Sequence, residues 1–280
     1  MKNMPNIKEI ERVALEAARK ASALVKKHSL KRDFETRLKG ESDLVTTADV
    51  ASEKVVKSII LKHFPDHHIL AEESDHNVKL NHGSVWIIDP IDGTTNFSHG
   101  FPVFGISIAY VWKGQIWMGV IQHPLWKETY HAVRGQGAFL NGNPISVSKT
   151  SKLSQALLAT GFPYNRKESN ENNMAEFVTF ELNSRCVRRP GSAAMDLAQV
   201  ACGRFDAFWE PGLHPWDVAA GILLVEEAGG KVTDYDGKKI KDLWNRQIVA
   251  SNKKLHPSMI TTLQHARRKP LASKDFLFQP

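Results

Sequence analysis

Two aspartates three residues apart carry the chemistry most open to reading in this chain. They lie in the segment Trp86-Ile87-Ile88-Asp89-Pro90-Ile91-Asp92-Gly93-Thr94-Thr95-Asn96-Phe97. The apolar run reads as a strand ending on Asp89, and Pro90, which lacks an N–H, is expected to stop the ladder there. Asp92 then turns toward the same point beyond the strand end. Gly93 lets the backbone approach a ligand closely. Thr94 and Thr95 open a helix whose free N–H groups favour a phosphate. Two neighbouring carboxylates repel and raise each other's pKa unless a cation neutralises them. Hard oxygen ligands suit Mg²⁺, which takes one or two carboxylates and leaves room for water and a substrate phosphate. Taken alone, the segment reads equally well as a strand-to-turn corner with Asp92 as a helix cap.

Two further acidic features join it. Glu72-Glu73 follows the short apolar run Ile69-Leu70-Ala71. Neighbours on a strand point to opposite faces, so one glutamate can face Asp89 while the other faces away. By itself such a pair reads as solvated surface. Asp217 lies in the first turn of the run from His214-Pro215-Trp216 to Gly229-Gly230. A carboxylate there is a natural cap, stabilised by the helix dipole. This helix is apolar almost all round, however, and a buried carboxylate wants a metal or a charge partner.

The elements that position these acids follow from periodicity. Ile7, Ile10, Val13, Ala14, Ala17, Ala21, Leu24 and Val25 recur at helical spacing, and a second helix begins near Asp49 and ends before Pro65. Strands are expected over 68–71, 85–88, 103–112, 115–122 and 128–134, with Lys113-Gly114 as a hairpin turn and Asn141-Gly142 as another. The second half alternates: strands near 156–160, 204–210, 231–233 and 247–251, helices near 174–183, 192–202, 216–228 and 257–266. Residues 269–280 show no periodicity and read as a tail.

Composition bounds the rest. The chain has 280 residues, 42% hydrophobic and 24% charged, as expected of a globular protein with a sizeable core. The apolar stretches 103–111 and 218–225 are far short of the ~20 residues that span a bilayer. No apolar segment follows the N-terminus in the manner of a signal peptide. Cys186 and Cys202 lack metal-site spacing and read as small buried residues in a reducing cytoplasm. The net charge of +7 comes from scattered basic pairs, without a stripe that would mark a nucleic-acid arm.

Taken together, these motifs resemble the inositol monophosphatase family, specifically its bacterial members. The segments from Asp89 to Phe97 and from Trp216 to Gly230 look like its two signatures. Glu72-Glu73-Ser74, Asp43-Leu44-Val45-Thr46-Thr47-Ala48-Asp49, Gly161-Phe162-Pro163 and Arg189-Pro190-Gly191-Ser192-Ala193-Ala194 stand in the expected order. Pro190 departs from the small or polar residue that often precedes Gly-Ser-Ala. The Asn- and Glu-rich segment 166–176 matches no motif.

The resemblance implies an α+β fold, a layered αβαβα sandwich of the inositol monophosphatase / sugar phosphatase type. It implies one phosphatase domain over 1–268, with an α+β front half to about residue 150, an α/β back half over 151–268, and the metal site where they meet. Glu72, Asp89 and the Ile91 carbonyl would hold one Mg²⁺. Asp89, Asp92 and Asp217 would hold a second, and Glu72 with Asp49 nearby a weaker third. Thr94, helped by Glu72, would orient and activate the attacking water. Gly93 and Thr94 would receive the phosphate. Glu210 would accept from substrate hydroxyls, with Gly191, Ser192 and Ala193 lining the same pocket beside Asp92 and Asp217. The implied reaction is hydrolysis of inositol monophosphate to inositol and phosphate, in a lithium-sensitive cytoplasmic homodimer.

Two other readings remain open at this level. One is a phosphatase of a different small metabolite, such as histidinol phosphate, a nucleotide 3′-phosphate or a sugar bisphosphate, because pocket details set specificity. The other is a transcription- or RNA-associated regulatory protein reusing the fold. A protein that had given up catalysis should have lost ligands, yet Glu72, Asp89, Asp92 and Asp217 are all acidic.

Overall fold

The computed structural model describes residues 5–40, 44–74, 76, 78–81 and 83–268. Asp43 and the expected tail over 269–280 lie outside them. Helix α1 (Ile7–Lys31) starts at Asn6, whose side chain accepts the Lys8 N–H at 3.2 Å. It buries the stripe Ile10, Val13, Ala14, Ala17, Ala21 and Val25, as the spacing predicts. A short antiparallel ribbon, β1 (Thr36–Leu38) with β2 (Leu44–Thr46), leads into α2 (Thr47–His63). Thr46 and Asp49 form a reciprocal capping box at its start.

Seven strands form the larger sheet, in the order β3 (His68–Ala71), β4 (Ser84–Asp92), β5 (Gly105–Trp112), β6 (Gln115–His123), β7 (Glu128–Val133), β8 (Gly137–Leu140) and β9 (Asn143–Ile145). Only β3 and β4 are parallel; the later strands are joined antiparallel. Lys113 and Gly114 both have positive φ in the expected hairpin turn. A six-residue helix, α3 (Thr94–His99), leaves the end of β4.

The second sheet has the order β11-β10-β12-β14-β13. Its strands are β10 (Leu157–Thr160), β11 (Cys186–Arg188), β12 (Ala207–Pro211), β13 (Lys231–Thr233) and β14 (Gln247–Ser251). Helix α4 (Met174–Asn183) lies between β10 and β11 in sequence, α5 (Ala193–Ala201) follows β11, α6 (Pro215–Glu227) follows β12, and α7 (His256–Arg267) closes the series.

The layers follow from which faces are apolar. Helices α1 and α2 cover one face of the large sheet, through a core that includes Ile10, Val56, Trp86 and Ile108. Helices α5 and α6 fill the space between the two sheets, where Ile87, Leu197, Phe208, Ala220 and Leu223 share one core. Helices α4 and α7 cover the outer face of the small sheet, over Phe180, Trp209 and Leu263. Helix α6 approaches β6 so closely that a Cβ on Gly119 would stand 2.9 Å from the Ala220 backbone.

Three sequence expectations change. Pro90 does not end its strand: β4 runs on to Asp92 through an irregularity in its pairing. Asp89 pairs with Ser107 and Asp92 with Gly105, so three steps along β4 meet two along β5. That extra residue is a β-bulge, a place where a missing N–H is tolerated. Strands β1, β2, β8, β9 and β11, of three or four residues each, went unread because so few residues show no alternation. Cys186 and Cys202 are free but half-buried, not buried.

Candidate active site

Side-chain alternation brings the acids together. Along β4, Val85 and Ile87 enter the core beneath α6, whereas Trp86 and Ile88 face α1 and α2. Asp89 shares the parity of Val85 and Ile87, and so faces the layer that carries Asp217 on the first turn of α6. The bulge then turns Asp92 inward too. Asp89, Asp92 and Asp217 each offer a carboxylate oxygen, and the three atoms lie within 4.8 Å of one another.

Each of these carboxylates also serves the backbone. Asp89 Oδ1 accepts the Ile91 N–H at 3.0 Å. Asp92 Oδ2 accepts the Ser192 hydroxyl and the Ala194 N–H, both at 2.6 Å, and so ties β4 to the start of α5. Asp217 Oδ2 accepts the His214 N–H at 2.6 Å in a capping box. A carboxylate has about four acceptor sites, so capping leaves capacity for a cation. Capping is therefore compatible with a ligand role at Asp92 and Asp217.

The electrostatics call for that cation. Burial, then the charges of Glu72, Asp92 and Asp217, pushes the Asp89 carboxyl well above its usual range. Burial followed by Asp92 and Glu72 does the same at Asp217. Asp92 is pushed up to about 6 by burial, against the Ser192 hydroxyl and the first N–H groups of α5. Among the described residues no lysine or arginine bonds any of the three. An all-oxygen, anionic, largely buried donor set without a base among the described residues fits Mg²⁺.

Glu72 stands just past β3, close enough to Asp89 to raise its pKa. It is itself pushed up to about 7, by burial first, with the Lys39 ammonium opposing. Lys39 Nζ bonds Glu72 at 3.0 Å and Glu73 at 2.6 Å. Glu73 in turn has its backbone N–H on Glu53 at 2.9 Å. Both glutamates thus converge on one lysine. Behind the cluster, the Thr94 hydroxyl lies 3.1 Å from Asp49 Oδ1 and 3.0 Å from the Ile91 carbonyl. Asp49 is fully buried, and its other oxygen accepts from Thr46. Among the described residues Thr94 makes no bond to Glu72.

These groups open onto a cavity of about 760 Å³. Glu72, Asp89, Ile91, Asp92, Gly93, Thr94, Gly191, Ser192, Ala193, Glu210 and Asp217 all line it; Asp49 lies behind Thr94 and does not. Gly93 has φ 94°, and a Cβ there would press at 3.1 Å on the Gly191 and Val103 carbonyls. Glu210 rests directly on Gly161, where any side chain would collide with its carboxylate. Burial and then Asp92 push Glu210 up to about 8, with Arg189 opposing. The Asn96 amide holds the floor together by donating to the Val103 and Pro190 carbonyls at 2.7 and 2.8 Å.

Sequence reasoning missed several contributors. Lys39 stands in a polar bend with no motif of its own. Arg189 stacks over Phe162 at 4.8 Å on the cavity wall, and its neighbour in sequence, Pro190, drew attention instead. Asp196 is fully buried on α5 with Oδ1 unbonded, and burial, then the charges of Glu210 and Asp92, pushes its carboxyl well above the usual range. An aspartate inside an otherwise apolar helix was the available signal.

Comparison with known proteins agrees with this geometry. The sequence profile described as the inositol monophosphatase family matches residues 6–268. An inositol-1-monophosphatase of Synechocystis sp. is 45% identical over 221 residues, 79% of this chain and 77% of the relative. A protein named Nus factor SuhB, from Pseudomonas aeruginosa, is 42% identical over 257 residues, 90% of this chain and 94% of the relative. The solved inositol monophosphatase from Anabaena (Nostoc) sp. superposes with a TM-score of 0.84 at 43% identity, covering 93% of this chain and 97% of that one. The layered αβαβα sandwich is the fold of these structures, and the chain belongs to the inositol monophosphatase family.

Proposed function

We propose that this member of the family is a Mg²⁺-dependent phosphomonoesterase that hydrolyses inositol monophosphate to inositol and phosphate, with water as the nucleophile. The observation that carries this reading is the Asp89–Asp92–Asp217 cluster, two of its acids buried and the third half-buried, which bonds no base among the described residues and sits in a cavity large enough for a sugar-sized phosphate. Asp89, Asp92 and Asp217, with Glu72 and the Ile91 carbonyl, would hold two ions, and Glu72 with Asp49 a weaker third. The metal, when bound, supplies a lowered pKa for the attacking water and neutralises charge on the phosphoryl group and leaving oxygen.

The chain's own groups do the rest. Thr94 Oγ1 takes a hydrogen bond from the water, and its own proton is directed to Asp49 Oδ1. Glu72 is held at the edge of the cluster by Lys39. The first N–H groups of α3 have no partner within the helix, and they receive phosphate oxygens near Gly93 and Thr94. Glu210, with Gly191, Ser192 and Ala193 beside it, contacts the ring hydroxyls. Burial pushes the Glu210 carboxyl up to about 8, and in its protonated form it donates as well as accepts.

Residues 1–268 working as one catalytic unit, lithium sensitivity, a homodimer and a cytoplasmic location belong to the same proposal and rest on family membership. Among the described residues no helix is long and apolar enough to cross a membrane. The test is phosphate release from inositol 1-phosphate with and without Mg²⁺, beside Asp92→Asn. Mg²⁺-dependent release that vanishes in the variant supports the reading; release that persists in the variant removes it.

A second reading, association with RNA or a transcription complex, draws support from relatives named Nus factor SuhB, at 42% identity against 45% for the inositol-1-monophosphatase. It predicts RNA binding that weakens steeply with salt. Salt-insensitive or absent binding leaves only the enzyme.

A further inference from the structure

The Asn- and Glu-rich segment before α4 takes no part in the catalytic cavity, yet it walls a second one. This smaller cavity, about 170 Å³, lies between α4, α7 and the turn after β13. Asn170, Glu171, Glu176, Tyr235, Gln247 and Arg267 line it. At ~30 Å³ of liquid volume per water, it has room for a compact molecule of a few heavy atoms.

Two features in it are unfinished. Tyr235 is 2% exposed, its ring packs in the core over the small sheet, and its hydroxyl has no hydrogen-bond partner. A buried hydroxyl left without a partner is costly, and such groups in native proteins usually find one. Glu176, in the first turn of α4, has only its own backbone N–H and the charge of Arg267 to set against burial, which raises its pKa. The other acid is already served: Glu171 Oε1 takes the Gln247 amide at 2.7 Å and the Arg267 guanidinium at 3.2 Å. Arg267 also lies over the Tyr235 ring, 5.5 Å from its centroid. One base therefore faces two acids, and the wall holds more carboxyl groups than bases.

We propose that this cavity is a binding site for a small primary amine that also carries a hydroxyl or carbonyl oxygen, its ammonium on Glu176 and its oxygen accepting from the Tyr235 hydroxyl. An anion would meet the excess carboxylate charge. An apolar molecule would leave the hydroxyl unbonded. A bare inorganic cation would balance Glu176 but bring no acceptor for the phenol. The site is distinct from the catalytic one, although Pro211 lines both cavities. Asn173, within the same segment, donates to the Gly161 carbonyl at 2.6 Å beneath Glu210.

The test needs no turnover and so stands apart from the phosphatase reading. Melting of the full-length protein is followed against ethanolamine and glycinamide, with ethylene glycol supplying oxygen without charge and KCl and NH₄Cl supplying charge without a neighbouring oxygen. A saturable rise of roughly 5 °C at a hundredfold excess over Kd is expected with the amines alone. Glu176→Gln and Tyr235→Phe should each abolish it. The free Tyr235→Phe protein should melt no lower than wild type, because it loses an unbonded hydroxyl. No rise with either amine, an equal rise with ethylene glycol or the salts, a rise retained in both variants, or a marked drop in melting for free Tyr235→Phe would each overturn the proposal.

Discussion

Two groups of acids meet at the edge of the catalytic cavity and differ in whether the fold supplies them with a cation. Glu72 and Glu73 share the Lys39 ammonium, at 3.0 and 2.6 Å. Asp89, Asp92 and Asp217 bring three carboxylate oxygens within 4.8 Å of one another and bond no base among the described residues. The difference separates acids that share an internal cation from acids that the fold leaves without one. Carboxylates with an internal cation are positioned; carboxylates without one raise each other's pKa and await a cation from solvent.

Asp217→Asn tests the open group and carries the largest expected effect. The amide oxygen can still accept the His214 N–H, so the cap survives. Activity should fall on the order of 1,000-fold or more, as expected when a main electrostatic element of phosphoryl transfer is lost. The metal-free variant should melt above metal-free wild type, because one repelling buried charge is gone. Melting below wild type would break the comparison.

Lys39→Met tests the closed group. The stem keeps its packing while the ammonium is lost. A 10- to 100-fold drop in activity is expected, roughly the cost of removing a residue that positions a ligand. Stability should fall by about 1–2 kcal/mol both with and without Mg²⁺, since two half-buried carboxylates lose their countercharge. Unchanged melting would show that the two groups do not differ as described.

Stability against pH sharpens the contrast further. Asp92, Glu72 and Glu210 are pushed up to about 6, 7 and 8, whereas unfolded carboxyls titrate near 4. Between pH 5 and 8 the unfolded chain has already released protons that the folded chain still binds. Metal-free stability contributed by these groups should therefore fall as pH rises through that window. Mg²⁺ favours the ionised forms, so its stabilising effect should be larger at pH 8 than at pH 5. An equal gain in melting temperature at both would count against the cluster as its site.

Glu210→Gln should have the smallest effect. An amide can both donate and accept, as the protonated acid does, so kcat should change little and KM for inositol 1-phosphate a few-fold. A large loss in kcat at unchanged KM would place Glu210 in the chemistry instead of substrate contact.

Much of this was visible in the chain before it folded. The spacing of Asp89, Asp92 and Thr94 constrains them to one corner, and the apolar run after Asp217 required a buried first turn. The stripe from Ile10 to Val25 specified α1, and Lys113-Gly114 specified a hairpin. These features were legible because each is set by residues a few positions apart, whose geometry the backbone limits. Pro90 misled because a bulge exempts a strand from the rule that proline ends it, and a bulge depends on the partner strand.

The fold itself supplied the rest, because it depends on how the layers stack. Asp92 finds Ser192 and Ala194 only when α5 lies between the sheets. Lys39 meets Glu72 only when the β1–β2 ribbon folds over the end of β3. Glu210 rests on Gly161 because β10 and β12 run side by side. Tyr235 is left with an unbonded hydroxyl only once α4 and α7 close over it. Local spacing governs which groups can act together within a turn or strand, but the countercharge of a carboxylate is set by whichever distant element packs against it.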